Sequence, residues 1–228
     1  MGLDYGKARF VTSAAAAEQF PTPTLPEVAF VGRSNVGKSS LLNMLTHQKN
    51  LAKVSKTPGR TQLVNFFSID DRAHLVDLPG YGFADVPKSV QAKWDRLMHD
   101  YLSMRQQLLG LVLLLDVRRT PSAHDYMMLD WIGARELPVL IVLTKVDKVG
   151  KNEAFNQLHK IARIINVPAK QFVRTSILSR DGQQALRESL DDLFDDYFAI
   201  QTQIDLAMKA QLPERDTEEE HPENDADT

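Results

Sequence analysis

The sequence predicts an α/β fold: a mostly parallel sheet with one antiparallel edge strand and helices on both faces. Three observations carry this expectation. Short apolar runs alternate with stretches of helical periodicity along most of the chain. One run, residues 109–116, is apolar almost throughout, as a strand buried on both faces requires. Residues 32–39 read Gly-Arg-Ser-Asn-Val-Gly-Lys-Ser, the pattern G-x-x-x-x-G-K-S, between the apolar run Val28-Ala29-Phe30-Val31 and the helix-like stretch 40–45.

A strand that delivers this loop and a helix that leaves it form the setting of a phosphate-binding P-loop, and the fold is therefore that of a P-loop NTPase. Its glycines let backbone N–H groups turn toward phosphates, and the following helix adds its positive end. Lys38 reaches the β- and γ-phosphates in this reading, and the Ser39 hydroxyl binds magnesium.

The elements follow in order. Residues 1–20 read as an N-terminal arm with strand character around 10–12. Pro21, Pro23 and Pro26 make a stiff entry into a strand at about 27–31, and helix runs on to about 47. Residues 48–62 are polar and basic, and Pro58-Gly59 breaks any regular element. Strands at about 63–69 and 72–77 form a hairpin around Asp70-Asp71. Helices are expected at 88–106, 122–135, 151–166 and 182–199, the last extending toward 209; strands at 138–144 and 171–174 lie between them. The domain expectation is an arm (1–20), a nucleotide-binding domain (21–200), and a helix extension with a tail (201–228).

Composition narrows the class. The chain has 228 residues, 43% hydrophobic and 25% charged, ordinary for a globular protein with one substantial core. With no cysteine, disulfides and thiolate metal sites are excluded. No apolar run is long enough to span a membrane and no signal-peptide core is seen, so an intracellular, cytoplasmic location is expected. The net charge of −3 hides an asymmetry. Residues 211–228 hold eight acidic residues and one basic one, a net of −7, which leaves +4 on residues 1–210. The tail has almost no apolar residues and reads as disordered; the mildly basic body permits an RNA partner without requiring one.

Three more signals end apolar strands. Asp77-Leu78-Pro79-Gly80 offers an aspartate that can hold magnesium through water and a glycine whose N–H can approach a γ-phosphate. Thr144-Lys145-Val146-Asp147 offers a carboxylate that accepts two N–H bonds from the guanine edge, a pair that adenine lacks. The Lys145 stem can cover the base face. Thr175-Ser176-Ile177 offers backbone N–H groups, that of Ser176 above all, to the guanine O6. Ligands of such sheets bind beyond the strand carboxyl ends, where all four signals are expected. Their order describes a phosphate end and a guanine end of one crevice.

This set resembles the small GTPases of translation-factor type, and in detail the bacterial YihA/EngB family of ribosome-biogenesis GTPases. The diagnostic strings are residues 32–39, Ser55-Lys56-Thr57-Pro58-Gly59-Arg60-Thr61-Gln62, Asp77-Leu78-Pro79-Gly80-Tyr81-Gly82-Phe83-Ala84 and Thr144-Lys145-Val146-Asp147. The resemblance covers about residues 8–200 and implies nothing about the acidic tail. It implies GTP or GDP and Mg2+ as ligands. Nucleotide contacts then fall to Gly32, Arg33, Ser34, Asn35, Val36, Gly37, Lys38 and Ser39; to Gly59, Arg60, Thr61, Gln62 and Leu63; to Asp77, Leu78, Pro79 and Gly80; and to the Thr144 and Thr175 strings. Ser39, Thr61 and Asp77 would serve the metal, and Lys38, Thr61 and Gly80 catalysis. Residues 48–62 would order around the γ-phosphate and loosen on hydrolysis, with 77–88 as the second switch. Thr144 stands where asparagine is commonest among GTPases, which implies modest nucleotide affinity.

Many GTPases place a glutamine after the D-x-x-G glycine to orient the attacking water. This chain has Tyr81, a poor base, so slow intrinsic hydrolysis is expected. Gln62 is a possible substitute, Arg60 a weaker candidate as a finger, and Arg118-Arg119 read as surface charge. Asparagine at the position of Asn35 holds a potassium ion in related GTPases, which suggests K+-stimulated hydrolysis. The resemblance implies a monomeric nucleotide switch in assembly of the large ribosomal subunit, bound to its rRNA or proteins, and needed for normal cell division and septation. The alternatives are a GTP-gated protein-interaction module acting directly in division, and a P-loop ATPase or small-molecule kinase. Histidines, tryptophans and methionines read as packing or surface residues.

Overall fold

A computed structural model describes residues 2–53, 63–82 and 88–210, with side chains to residue 208. Among these residues seven strands form one sheet: β1 (Arg9–Ala14), β2 (Glu27–Gly32), β3 (Val64–Ile69), β4 (Ala73–Asp77), β5 (Leu108–Asp116), β6 (Val139–Thr144) and β7 (Phe172–Arg174). Their order is β1-β3-β4-β2-β5-β6-β7. Strands β4, β2, β5, β6 and β7 are mutually parallel. The antiparallel pairing is confined to one edge, where β3 runs against β4 and β1 covers the outer side of β3. The N-terminal arm thus enters the sheet. Asp70 and Asp71 both take positive φ (50° and 53°), the two-residue turn whose twist suits a β3–β4 hairpin.

Among the described residues five α-helices cover the sheet: α1 (Lys38–Leu45), α2 (Lys88–Met104), α3 (Ala123–Ala134), α4 (Lys151–Ile164) and α5 (Gln183–Ala210). Successive strand side chains point to opposite faces, so a central strand must be apolar at every position. In β5, Leu111, Leu113 and Leu115 pack with α2, α3 and α4 residues such as Tyr101, Ile132 and Ile161. Val112 and Leu114 face the other way, to Leu41 and Leu45 of α1 and to Leu190 and Phe194 of α5. Strand β2 alternates likewise, with Ala29 and Val31 on the first face and Val28 and Phe30 on the second.

Helix α1 stops two residues short of the expected end. The Thr46 hydroxyl bonds back to the Leu42 carbonyl, and His47 turns left-handed at φ 56°. The Gln48 N–H then reaches the Asn43 carbonyl at 3.1 Å, a Schellman closure that satisfies a terminal acceptor. Among the described residues no helix is long and apolar enough to cross a membrane.

The lower end of the sheet is tied by a buried ionic network. Glu27, at the start of β2, accepts from Arg105 at both carboxylate oxygens and from the Tyr101 hydroxyl at 3.0 Å. Burial opposes ionisation of Glu27, yet its bonds with His74, Arg105 and Tyr101 hold the carboxyl below its ordinary value. The Arg105 guanidinium also lies over the Phe66 and Phe20 rings.

Candidate functional site

The upper ends of β2, β4, β5, β6 and β7 lie on one side of the sheet, as parallel topology dictates, and the P-loop and segments 77–80, 144–147 and 175–177 follow them there. The P-loop leaves β2 at Gly32. Gly37 takes φ 116°, a left-handed conformation that suits glycine, and Lys38 begins α1. Asn35 is also left-handed (φ 59°), which asparagine tolerates better than most residues.

Two backbone bonds stitch the loop to the segment after β4. The Ser34 N–H donates to the Tyr81 carbonyl at 2.9 Å, and the Tyr81 N–H to the Gly32 carbonyl at 3.3 Å. Gly80 sits under this stitch: a Cβ there would stand 3.1 Å from Ser34 N and Cα. A side chain there would push the P-loop backbone back by a few tenths of an ångström, so the close approach favours glycine. Leu78 is fully buried, and its N–H bonds to the Phe30 carbonyl at 3.0 Å.

At the phosphate end, Lys38 Nζ stands 3.6 Å from Asp77 Oδ1, and the Ser39 hydroxyl donates to Asp77 Oδ2 at 3.3 Å. Both charged groups are buried. Burial pushes the Asp77 carboxyl above its ordinary value, against the opposing pull of Lys38 and Ser39. Among the described residues Asp77 Oδ1 has no hydrogen-bond partner beyond the longer ion pair to Lys38. A buried carboxylate oxygen in want of a partner beside a serine hydroxyl fits a hard cation such as Mg2+, which takes oxygen ligands and keeps several waters. Among the described residues no cluster of three or more His, Cys, Asp or Glu forms a ready-made metal cage.

At the other end, β5, β6 and β7 bring three carboxylate-bearing or polar termini together. The Thr144 hydroxyl donates to the Val36 carbonyl of the P-loop at 2.8 Å and approaches the Leu115 carbonyl at 3.3 Å. Lys145, left-handed at φ 61°, donates from Nζ to the Asn35 carbonyl at 2.6 Å. Adjacent residues at the end of β6 thus hold adjacent carbonyls of the P-loop. Because a trans peptide points its N–H opposite to its C=O, the Gly37 N–H faces away from Thr144.

Asp147 accepts from the Ser176 hydroxyl at 2.8 Å and pairs with Lys148 at 3.3 Å. Burial opposes its ionisation, but Ser176 and Lys148 outweigh it and hold the carboxyl below its ordinary value. The β7 end is fastened by Thr175, whose N–H bonds to the Leu143 carbonyl at 2.7 Å, and by Val146, whose N–H bonds to the Thr175 carbonyl at 3.3 Å. The Ser176 N–H, expected to meet a base oxygen, instead bonds to the Asp181 carbonyl at 3.2 Å. The contribution of Ser176 here is its hydroxyl on Asp147. Ile177 is exposed. Arg33 and Pro79 follow the ends of β2 and β4, and Leu63, just before β3, is exposed. Gly59, Arg60, Thr61 and Gln62 lie outside the described residues, as does 83–87 of the expected second switch.

Three participants were not foreseen as such. Asp116, the last residue of β5, is paired in register with Thr144. It binds Arg118, which had read as surface charge, and Lys145. Asp125, on α3, accepts the Tyr81 hydroxyl at 2.5 Å. Tyr81 is also stacked on His124 and set edge-on to Trp94, so its phenol is directed to α3. A cavity of about 510 Å³ between α2 and α3, walled by Trp94, Met98, Met128 and Trp131, adjoins it.

The fold and this crevice define a P-loop nucleotide-binding protein. Residues 27–145 match the family described as 50S ribosome-binding GTPase. The chain is 46% identical over 198 residues to the probable GTP-binding protein EngB of Citrifermentans bemidjiense, covering 87% of this chain and 92% of that protein. It is 50% identical over 179 residues to the probable EngB of Geobacter sulfurreducens, 78% of this chain and 87% of that one. Solved structures agree on the fold: a probable GTP-binding protein EngB (TM-score 0.62, 24% identity, 75% of this chain and 99% of that one) and Era in complex with MgGDPNP and a segment of 16S ribosomal RNA (TM-score 0.59, 21% identity, 74% and 56%). The chain belongs to the EngB family of P-loop GTPases.

Proposed function

We propose that the protein binds GTP, hydrolyses it slowly, and uses the difference between its GTP and GDP forms as a switch in assembly of the large ribosomal subunit. The observation that carries the nucleotide reading is the Lys38–Asp77–Ser39 cluster at one end of a crevice whose other end holds Asp147 and Ser176. The ribosomal reading is supported by the matched family's description, which names 50S ribosome binding.

In this reading Lys38 and the P-loop N–H groups hold the phosphates. Ser39 and Asp77, with Thr61, would hold magnesium, which would neutralise phosphate charge. Gly80 offers its N–H to the γ-phosphate. Asp147, kept ionised by Ser176 and Lys148, accepts the two donors of the guanine edge. Thr144 braces the P-loop and makes no bond of its own to the base. Tyr81 takes no part in orienting the attacking water, because its hydroxyl is engaged by Asp125. The loop that holds Thr61 and Gln62 supplies the nucleotide-sensing contacts, and Asn35 would hold a potassium ion that supplies positive charge. Residues 21–200 form the nucleotide-binding domain, whose sheet edge the 1–20 arm completes through β1, while residues 201–228 form the helix extension and acidic tail. The protein acts in the cytoplasm as a monomer, and division defects follow from faulty subunit assembly.

The test is gradient sedimentation of cell extract with the protein loaded with non-hydrolysable GTP or with GDP. Co-migration with large-subunit particles in the GTP form alone is expected. Failure in both forms would overturn the ribosomal reading and favour a protein partner in cell division.

A further inference from the structure

Asp116 closes β5 beside the end of β6 and is almost fully buried. Its carboxylate lies between two cations. Arg118 donates from Nε to Oδ1 at 2.9 Å and from Nη2 to Oδ2 at 2.7 Å, and its own N–H adds a third bond to Oδ1 at 3.1 Å. Lys145 Nζ reaches Oδ2 at 3.0 Å. The same ammonium is bound to the Asn35 carbonyl at 2.6 Å, so β5 and the P-loop both anchor it. Lys145 leaves β6 in a left-handed conformation, which fixes the root of the side chain while these bonds fix its tip. A lysine stem held at both ends is a rigid apolar wall, whereas a free lysine loses considerable rotamer freedom when a ligand orders it.

We propose that Asp116, oriented by Arg118, is a positioning residue that holds Lys145 in place against the purine face before nucleotide arrives, and thereby lengthens the residence of guanine nucleotide. This rests on the guanine reading of the Lys145–Asp147 end. Asp116 touches no ligand atom in this account. Its effect passes entirely through Lys145, which separates it from a residue that merely closes the β5 turn.

A double-mutant cycle on the full chain tests this, reading the dissociation rate of fluorescently labelled GDP in magnesium buffer for the wild type, Lys145→Met, Asp116→Asn and the double variant. Lys145→Met is expected to raise the rate about tenfold and Asp116→Asn about three- to tenfold, with the double variant no faster than Lys145→Met. Additive effects, or an unchanged rate in Asp116→Asn, would overturn the proposal and leave the guanine reading standing. An unchanged rate in Lys145→Met would overturn both. If Asp116→Asn fails to fold, Arg118→Gln at a half-exposed position carries the test. A rise of about twofold that vanishes in the Lys145→Met background supports the proposal, and an unchanged rate overturns it.

Discussion

The Tyr81 hydroxyl donates to Asp125 Oδ1 at 2.5 Å, joining the residue after the D-x-x-G glycine to the first turn of α3. Both groups are buried. The other oxygen of Asp125 accepts from the Ser122 N–H at 2.6 Å and hydroxyl at 2.7 Å, completing a capping box. One carboxylate thus starts a helix and holds a tyrosine, and burial together with Asp125 pushes the phenol far above its ordinary value.

Tyr81→Phe should therefore act on stability and leave catalysis alone. Removing the donor leaves Asp125 short of one partner in a buried setting, at a cost of about 1–3 kcal/mol. Thermal melts should show a lower Tm, while single-turnover GTP hydrolysis stays within about twofold of the parent. A hydrolysis loss of tenfold or more would return Tyr81 to the reacting centre.

Thr144→Val should loosen the P-loop from the base end. The Val36 carbonyl loses a 2.8 Å bond from a buried hydroxyl, worth about 1–3 kcal/mol. Melting temperature should fall by a few degrees and GDP affinity should weaken, whereas Thr144→Ser, which keeps the donor, should stay near the parent. Comparison of the three proteins by melting and by GDP titration decides the matter.

Asp147→Asn should exchange base preference. An amide repels the guanine N–H groups through its own NH2 and can donate to the 2-keto group of xanthine. GTP affinity should fall about 100-fold or more, and xanthosine triphosphate should gain. Competition titrations with the two nucleotides measure it; retention of full GTP affinity would refute the guanine assignment.

Hydrolysis should be faster in potassium than in sodium. Asn35 is exposed and left-handed in the P-loop, and its backbone carbonyl is held by Lys145, so a side-chain oxygen offered to a monovalent ion would be well positioned. An ion beside the phosphates supplies charge that the engaged Tyr81 does not. Steady-state rates in the two salts at equal ionic strength should differ by about fivefold or more, and Asn35→Ala, which removes the oxygen donor, should erase the difference.

Acid should unfold the protein partly through Glu27. Its folded pKa lies below the ordinary 4.5, so its stabilising contribution is complete above that value and is lost as pH falls through the lower folded value. Glu27→Gln should lower stability at pH 7 by about 3–5 kcal/mol, because Arg105 is left buried with a weakened partner. Between about pH 5 and 3 its Tm should fall less steeply than that of the parent. Parallel acid limbs for the two proteins would remove Glu27 from the explanation.

Much of this molecule could be read from residues alone, for identifiable reasons. The run through β5 is apolar because both its faces are covered, and the P-loop announces itself because a tight phosphate cradle tolerates few residue types. The hairpin was visible in Asp70-Asp71, which two left-handed residues in succession favour. The role of Asp116 was not visible. It arises from the parallel register that sets Asp116 against Thr144, and a D-x-R string after a strand otherwise resembles ordinary surface charge. Nor could Asp125 be matched with Tyr81, since 44 residues separate them and only the packing of α3 brings them together. The Ser176 N–H illustrates a third limit: a backbone donor has no sequence signature, and its bond to Asp181 follows from local loop closure.

The Lys38–Asp77 ion pair has a consequence for how ligands help one another. In the proposed reading phosphate would draw on the lysine and magnesium on the aspartate, so each ligand would take one half of a pair already formed in the protein. Either alone strands the opposite charge in a buried setting. The two binding events are therefore reciprocally coupled: magnesium should tighten nucleotide by the same factor by which nucleotide tightens magnesium. Calorimetry of the two ligands added in either order should close that thermodynamic square, with little heat from magnesium added first.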